Sequence, residues 1–347
     1  MALNGKKVRV LVVDDSAVAR SYIISGLSTK VNIEIVGFAI NAADAKRKVA
    51  SLQPDVVTLD VEMPDMSGID LLKQLQPISQ ARVILVSSLN LRVFDALEAG
   101  AVDFVRKPDV QESKETFIAN LTQKVLVASM ARPRSAPLRS PSVAVDTPIL
   151  GGGPALDRVL VGLGASTGGT EATLEVMRRL PADIPPMVIV QHMPKGFTQM
   201  YADRLNRICK MEVREAKNGD ELHRGLALVA PADLQCRVVR IGEKYTVSCT
   251  PGEKVSGHRP SVDAMFHSMA EVVRCKMVGI IMTGMGQDGA AGLLEMRKKG
   301  AYTIGQDKES SVVYGMPMVA NDIGAVCIQA SCENVANVLL RHLKTLH

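Results

Sequence analysis

Four glycines crowd around one serine in VGLGASTGG, residues 161–169, a run suited either to cradling a phosphate or to exposing a nucleophile. Gly162, Gly164 and Gly168 approximate a dinucleotide fingerprint, but the spacing is off by one. That fold also needs an acidic residue at the end of the next strand to hold the ribose, and here PMVIV runs into Gln191 and His192. Gly164-Ala165-Ser166-Thr167-Gly168 instead fits GxSxG, whose glycines permit a tight strand-to-helix turn that lifts the serine hydroxyl into the open. Serine is a poor nucleophile at its own pKa and needs an adjacent base. His192 ends a strand that can lie beside the serine's, and Asp288, in MVGIIMTGMGQDGAAGLL, follows another buried strand and a glycine loop. Alone, Asp288 reads as a helix N-cap. Together Ser166, His192 and Asp288 fit the roles of nucleophile, base and orienting group.

The chain order Ser, His, Asp differs from those of α/β-hydrolases, chymotrypsin-like and subtilisin-like enzymes, so the constellation is recognised by roles rather than by order. In SGHRPSVDAMF, His258, Ser261 and Asp263 stand too close along one turn for a relay; His258 and Ser261 are expected to line the substrate cleft. His267 is expected on the following helix, and His223, His342 and His347 at the surface. No HExxH or comparable spacing calls for a metal in this half.

A second set of polar residues ends the apolar runs of the first half: Asp14 and Asp15, Asp60, Ser87 and Ser88, Lys107 and Pro108. If the first and third strands are neighbours, as in the flavodoxin-like order, three carboxylates converge and repel unless a cation sits among them. Oxygen-only ligands at an open site suit Mg²⁺. Helix capping explains any one of these residues, but not Lys107 on the same rim. A lysine facing carboxylates and a metal is what a transferred phosphoryl group requires.

The elements that must position these groups follow from pattern. At 347 residues the chain is too long for one ordinary core, so two domains are expected. Residues 131–155, ARPRSAPLRSPSVAVDTPILGGGPA, have no helical or strand period and read as linker. The expected division is a domain at 8–125, a linker at 126–155 and a second domain at 156–347, with no internal repeat. VRVLVV, IEIVGFA, DVVTLD, RVILVSS and DFVRKP read as strands of the first half, and DRVLVGLG, PMVIVQH, LALVAP, YTVSC, MVGIIMTG and AYTIGQD as strands of the second. Strands alternating with amphipathic stretches imply an α/β fold of two doubly wound domains with parallel sheets. Such sheets concentrate chemistry at the carboxyl ends of their strands.

Composition excludes several classes. Hydrophobic residues at 47% and charged ones at 22% describe a globular chain. No apolar run has the length of a membrane span, and MALNGKKVRVLVVDD lacks a signal peptide's hydrophobic region and cleavage site, so a cytoplasmic protein without membrane insertion is expected. Six cysteines include no CxxC pair, against a zinc ribbon or redox dithiol. A net charge of +5 hints at nucleic acid but is small for this length, and the absence of Trp with only 3% aromatics argues against it; the mild basicity fits an acidic protein partner as easily.

Residues 8 to about 125 resemble the receiver domain of two-component response regulators. The resemblance implies that Asp14, Asp15 and Asp60 bind Mg²⁺, that Asp60 in LDVEMPDMSG is phosphorylated by a chemotaxis histidine kinase, that Ser87 and Lys107 support the phosphoryl group, and that Phe104 is a switch aromatic. GASTGG, QHMP, GHRPSVD, TGMGQDGA and VYGMP resemble signatures of the chemotaxis protein-glutamate methylesterases, in which a receiver precedes a serine-hydrolase domain. This second resemblance covers nearly the whole chain except the linker. It implies a triad of Ser166, His192 and Asp288, with Thr167 and Met285 near the oxyanion, Met285 through its backbone N–H alone. It also implies demethylation of glutamate methyl esters on methyl-accepting chemotaxis receptors, glutamine deamidation as a related activity, and no cofactor for the ester chemistry. From the two domains and their short linker, an unphosphorylated receiver is expected to sit across the esterase rim, with phosphorylation of Asp60 weakening that docking. A monomer is expected. The competing class is a regulator whose output half binds a partner or DNA and catalyses nothing. For DNA it would need a recognition helix and a clustered basic face.

Overall fold

A computed structural model describes residues 6–88, 92–108, 113–132 and 156–346, and the chain divides into two compact units, Met1–Arg139 and Ser140–His347. In the first unit β1 (Val8–Val13), β2 (Ile33–Ala39), β3 (Val56–Asp60), β4 (Arg82–Ser87) and β5 (Asp103–Arg106) form one parallel sheet in the order β2-β1-β3-β4-β5. Every residue of β3 is buried, as expected of a parallel strand covered on both faces. Between the strands run α1 (Ala17–Ser28), α2 (Ala42–Leu52), α3 (Gly68–Leu75) and α4 (Arg92–Glu98), and α5 (Lys114–Met130) follows β5. Ser16, Asn41, Ser67 and Ser113 cap α1, α2, α3 and α5, each accepting the backbone N–H three residues on. Helix α5 runs past the expected boundary at 125, because Val125, Val127 and Ala128 stay buried. The expected linker therefore begins inside a helix, and its residues 133–155 lie outside the described ones.

The second unit continues with β6 (Val159–Ala165), α6 (Gly169–Met177), β7 (Met187–Gln191), α7 (Phe197–Ile208), β8 (Glu212–Glu215), β9 (Leu226–Val229), β10 (Gln235–Ile241) and β11 (Lys244–Thr250). Then come α8 (Val262–Val272), β12 (Lys276–Ile281), α9 (Ala290–Lys298), β13 (Tyr302–Gln306), α10 (Met316–Asp322), β14 (Ile328–Ala330) and α11 (Cys332–Lys344). Seven strands make a parallel sheet in the order β14-β13-β12-β6-β7-β9-β8. The chain leaves β6 toward β7 on one side and later fills β12 on the other, so the strand order reverses at β6. That reversal opens a crevice at the strand's carboxyl end.

One expectation is corrected. YTVSC lies in β11, which pairs antiparallel with β10 in a separate hairpin rather than joining the parallel sheet. Cys236, Val238, Val247 and Cys249 are buried on the hairpin's inner face, in one core with Met265 and Met269 of α8. Strands β8, β10 and β14 were not anticipated: three of the four residues of Glu-Val-Arg-Glu are charged, and β14 is only three residues long.

Candidate active site

Backbone register brings the three residues together before any side chain is considered. In the β6–β7 ladder Ala165 faces Gln191, and the His192 N–H donates to the Ala165 carbonyl at 3.1 Å. In the β6–β12 ladder Gly164 faces Ile281, and the Ser166 N–H donates to the Thr283 carbonyl at 3.0 Å. Ser166 is thus partly exposed at the end of a fully buried strand, with His192 one strand away and the loop carrying Asp288 on the other side. Gly168 makes the turn possible: its φ is +77°, and it starts α6 where an added Cβ would lie 2.6 Å from Val312 Cβ.

His192 Nε2 meets Asp288 Oδ2 at 2.9 Å, with side-chain exposures of 10% and 1%. Asp288 Oδ2 also accepts the Val262 N–H at 2.9 Å, and Oδ1 accepts Ser261 Oγ at 2.7 Å and the Asp263 N–H at 2.9 Å. The carboxylate therefore sits on the N-terminus of α8, where unpaired amides and the helix dipole favour an anion. Burial opposes its charge, but the His192 contact and the bonds from Asp263 and Ser261 prevail, and Asp288 is held below the ordinary carboxyl range. Asp288 is not the N-cap of α9, which is Gly289; its carboxylate instead accepts amides at the start of α8, beside the Ser261 N-cap.

With Asp288 on Nε2, the neutral imidazole keeps its hydrogen there, and Nδ1 is the acceptor. His192 Nδ1 is buried with no hydrogen-bond partner among the described residues. Its two nitrogens are exchanged relative to the chymotrypsin arrangement, where the carboxylate holds Nδ1. The Ser166 N–H is spent on Thr283, so oxyanion donors must come from neighbours. Thr167 is buried, its carbonyl accepting from Thr283 Oγ1 at 3.0 Å. Met285 is 37% exposed, and its N–H makes no hydrogen bond among the described residues. Its loop is fixed by Thr283 N–H to Gln306 Oε1 at 2.8 Å and Gly284 N–H to the Val313 carbonyl at 3.0 Å.

Two residues around the site differ from expectation. Ser261 was expected to line the cleft but is 0% exposed, because it is the N-cap of α8 and donates inward to Asp288. Gln191, read only as a strand end, has a role in the site: buried, it donates through Nε2 to the carbonyls of Ser166 at 2.9 Å and His192 at 3.2 Å, tying the two strand ends together. Its signal was a polar residue closing an otherwise apolar strand. His258 lies against His192, the ring centroids 3.8 Å apart. His267 lies on α8 and pairs with Glu295, and His223 is exposed. His342 is half-buried, stacked on Tyr302 rather than free at the surface, and His347 lies outside the described residues.

The first unit assembles its own group. Ligand atoms of Asp14, Asp15 and Asp60 lie within 4.8 Å of one another, Asp15 exposed and the other two buried. Lys107 Nζ is 2.6 Å from Asp60 Oδ2 and 3.1 Å from Asp14 Oδ2, the latter without hydrogen-bond alignment. Burial raises the Asp60 pKa despite Lys107, whereas the pairing with Asp60 raises that of Lys107 despite burial. Ser87 is 0% exposed, and its Oγ has no hydrogen-bond partner among the described residues. An all-oxygen set with two unsatisfied buried oxygens, Asp14 Oδ2 and Ser87 Oγ, fits a hard cation and a further anionic group. Phe104 is buried on β5, three residues before Lys107, with Lys124 Nζ 6.0 Å from its ring centre.

Residues 161–339 match the family model described as CheB methylesterase, and residues 10–117 match that of the response regulator receiver domain. A "Protein-glutamate methylesterase/protein-glutamine glutaminase 2" from Syntrophomonas wolfei is 45% identical over 98% of this chain and 99% of its own. The chain belongs to the CheB methylesterase family. A second member, from Sulfurimonas denitrificans, is also 45% identical, covering 94% of this chain and 96% of its own length. Among solved structures, the Thermotoga maritima CheB methylesterase catalytic domain matches with a TM-score of 0.52 and 33% identity, over 53% of this chain and 97% of that one. Membership in this family disfavours the non-catalytic output reading. No described helix is long and apolar enough to cross a membrane.

Proposed function

We propose that this chain hydrolyses glutamate methyl esters on methyl-accepting chemotaxis receptors, and deamidates receptor glutamines, under control of phosphorylation at Asp60. The observation that carries the reading is the His192–Asp288 pair beside Ser166, with Nδ1 left open as acceptor. The substrate class is taken from the names its relatives carry.

Ser166 Oγ attacks the side-chain carbonyl carbon while its proton passes to His192 Nδ1, and Asp288 stabilises the imidazolium through Nε2. The N–H groups of Thr167 and Met285 are assigned to the oxyanion, each such donor worth about 3 kcal/mol in hydrolases. As the C–O bond breaks, the imidazolium returns the proton to the leaving oxygen and methanol departs; from an amide, ammonia departs. Water, deprotonated by the same nitrogen, then cleaves the acyl-serine to glutamate and free Ser166. This chemistry is carried by side chains, backbone N–H groups and water.

The receiver is assigned from residue 8 to the end of α5 and the esterase to 156–347. Mg²⁺ held by Asp14, Asp15 and Asp60 would neutralise charge during phosphoryl transfer. Lys107 and Ser87 would then bind the phosphoryl oxygens, and Phe104 would pack according to their state. A chemotaxis histidine kinase is the assigned donor, and a cytoplasmic monomer the assigned form. The test is methanol release from methylated receptor membranes by the full chain and by Ser166→Ala, with and without Mg²⁺ and a small phosphodonor. Release that vanishes in Ser166→Ala and rises with phosphodonor is expected. Equal release from both proteins would overturn the nucleophile assignment.

A further inference from the structure

Among the described residues the His192 imidazole is held by one hydrogen bond, Nε2 to Asp288, and Nδ1 has no partner to stop the ring turning about it. A ring on a single pivot presents its acceptor nitrogen to Ser166 only part of the time, and reaction rates fall steeply with such misplacement. Some other contact must fix the ring plane.

Residues 255–263, VSGHRPSVD, supply it. Ser256 and Gly257 have φ of 50° and 84°, and Val255 and His258 exchange backbone hydrogen bonds of 2.9 and 3.1 Å. Two left-handed residues between paired ends make a type I′ turn. His258 is the exit residue of that turn, and its carbonyl accepts Gln235 Nε2 at 3.0 Å. The same buried Gln235 accepts the Ser261 N–H through Oε1 at 3.0 Å, while Ser256 Oγ donates to Asp263 Oδ2 at 2.7 Å. The backbone under His258 is therefore anchored to β10 and to the start of α8, the helix end that holds Asp288. From this mount the His258 ring lies on His192 with centroids 3.8 Å apart and planes 9° from parallel.

We propose that His258 is a positioning residue for the base: its clamped ring is the flat surface that keeps His192 Nδ1 directed at Ser166 while Nε2 stays on Asp288. The proposal rests on the assignment of Ser166, His192 and Asp288 as nucleophile, base and orienting group. One segment thereby serves two members of the site, Asp288 through its helix amides and His192 through a ring face.

The test uses full-length His258→Ala, His258→Phe and His258→Leu on methylated receptor membranes, with Ser166→Ala in the same assay. A flat ring is what matters, so His258→Phe should keep most of kcat, whereas His258→Ala should lose about tenfold to a hundredfold in kcat with KM within about twofold. His258→Leu, of comparable bulk but not planar, should fall with His258→Ala, and decides the matter if the alanine variant melts early. Wild-type kcat in His258→Leu, a rise in KM alone, or a phenylalanine variant as slow as the leucine one would each overturn the proposal. Activity in Ser166→Ala would instead overturn the triad reading on which it stands.

Discussion

The two strand-end sites are built from similar residue types on similar sheets, yet they are finished in opposite ways. At the first, buried Asp14 Oδ2 and Ser87 Oγ lack hydrogen bonds among the described residues, and burial raises the Asp60 pKa. At the second, the Asp288 carboxylate accepts three hydrogen bonds from the start of α8 besides its contact with His192, and its pKa is depressed. The first is arranged for a charge that arrives and leaves. The second is arranged before substrate comes, which is what a transition-state site requires. The helix starts differ in the same sense. Ser and Asn N-caps precede four helices of the first unit, whereas α6, α7 and α9, which follow the strand ends carrying Ser166, His192 and Asp288, have Gly168, Gly196 and Gly289 as N-caps. Glycine puts no capping side chain where substrate must fit.

If the second site is preorganised, removing its nucleophile should have the largest effect: Ser166→Ala should lower methanol release by about a million-fold, to the assay's floor, with the thermal midpoint unchanged. Asp288→Asn should come next. It spoils the imidazole's tautomer and should cost about ten-thousand-fold in kcat. The same variant sharpens the comparison through pH. Because the folded pKa of Asp288 lies below its unfolded value, its ionised form stabilises the fold above the unfolded pKa, and that contribution is lost as pH falls through the folded one. Urea midpoints measured from about pH 6 down to pH 2 should therefore fall less steeply for Asp288→Asn than for wild type. An identical slope would break the contrast between a depressed and a raised carboxyl.

If the first site is the receptive one, Asp60→Asn should leave basal methanol release in place and abolish its stimulation by Mg²⁺ and phosphodonor. Persistent stimulation would remove Asp60 as the acceptor. The smallest effect is expected from Ser261→Ala, which deletes an N-cap and one hydrogen bond to a buried carboxylate. It should cost about 1–3 kcal/mol in chemical denaturation, with a loss in kcat well short of that in Asp288→Asn.

Much of this was legible in the sequence because strand ends were legible. Apolar runs ending abruptly in Asp60, Ser87, Ser166 or His192 located both sites, and β-branched composition located the strands around them. What escaped was carried by groups whose partners are remote in sequence. Ser261 looked like a cleft residue because nothing nearby announces that it caps α8 and reaches Asp288, 27 positions on. Gln191 looked like the end of a strand because its role depends on two backbone carbonyls. YTVSC had the composition of a strand, but local pattern does not say which sheet it joins; its pairing to β10 does. Helix α5 outran its expected end because buried packing, not a polar boundary, decides where it stops.

The seating of Asp288 on α8 has one more consequence. The amide hydrogens of Val262 and Asp263 are donated to that carboxylate, so their exchange with solvent deuterium measures how often the carboxylate lets go. In a resting enzyme with no receptor present, those two protons are a built-in clock for the lifetime of the competent site, and a phosphodonor that slows or speeds them would reveal whether the receiver's state is felt as far as the triad.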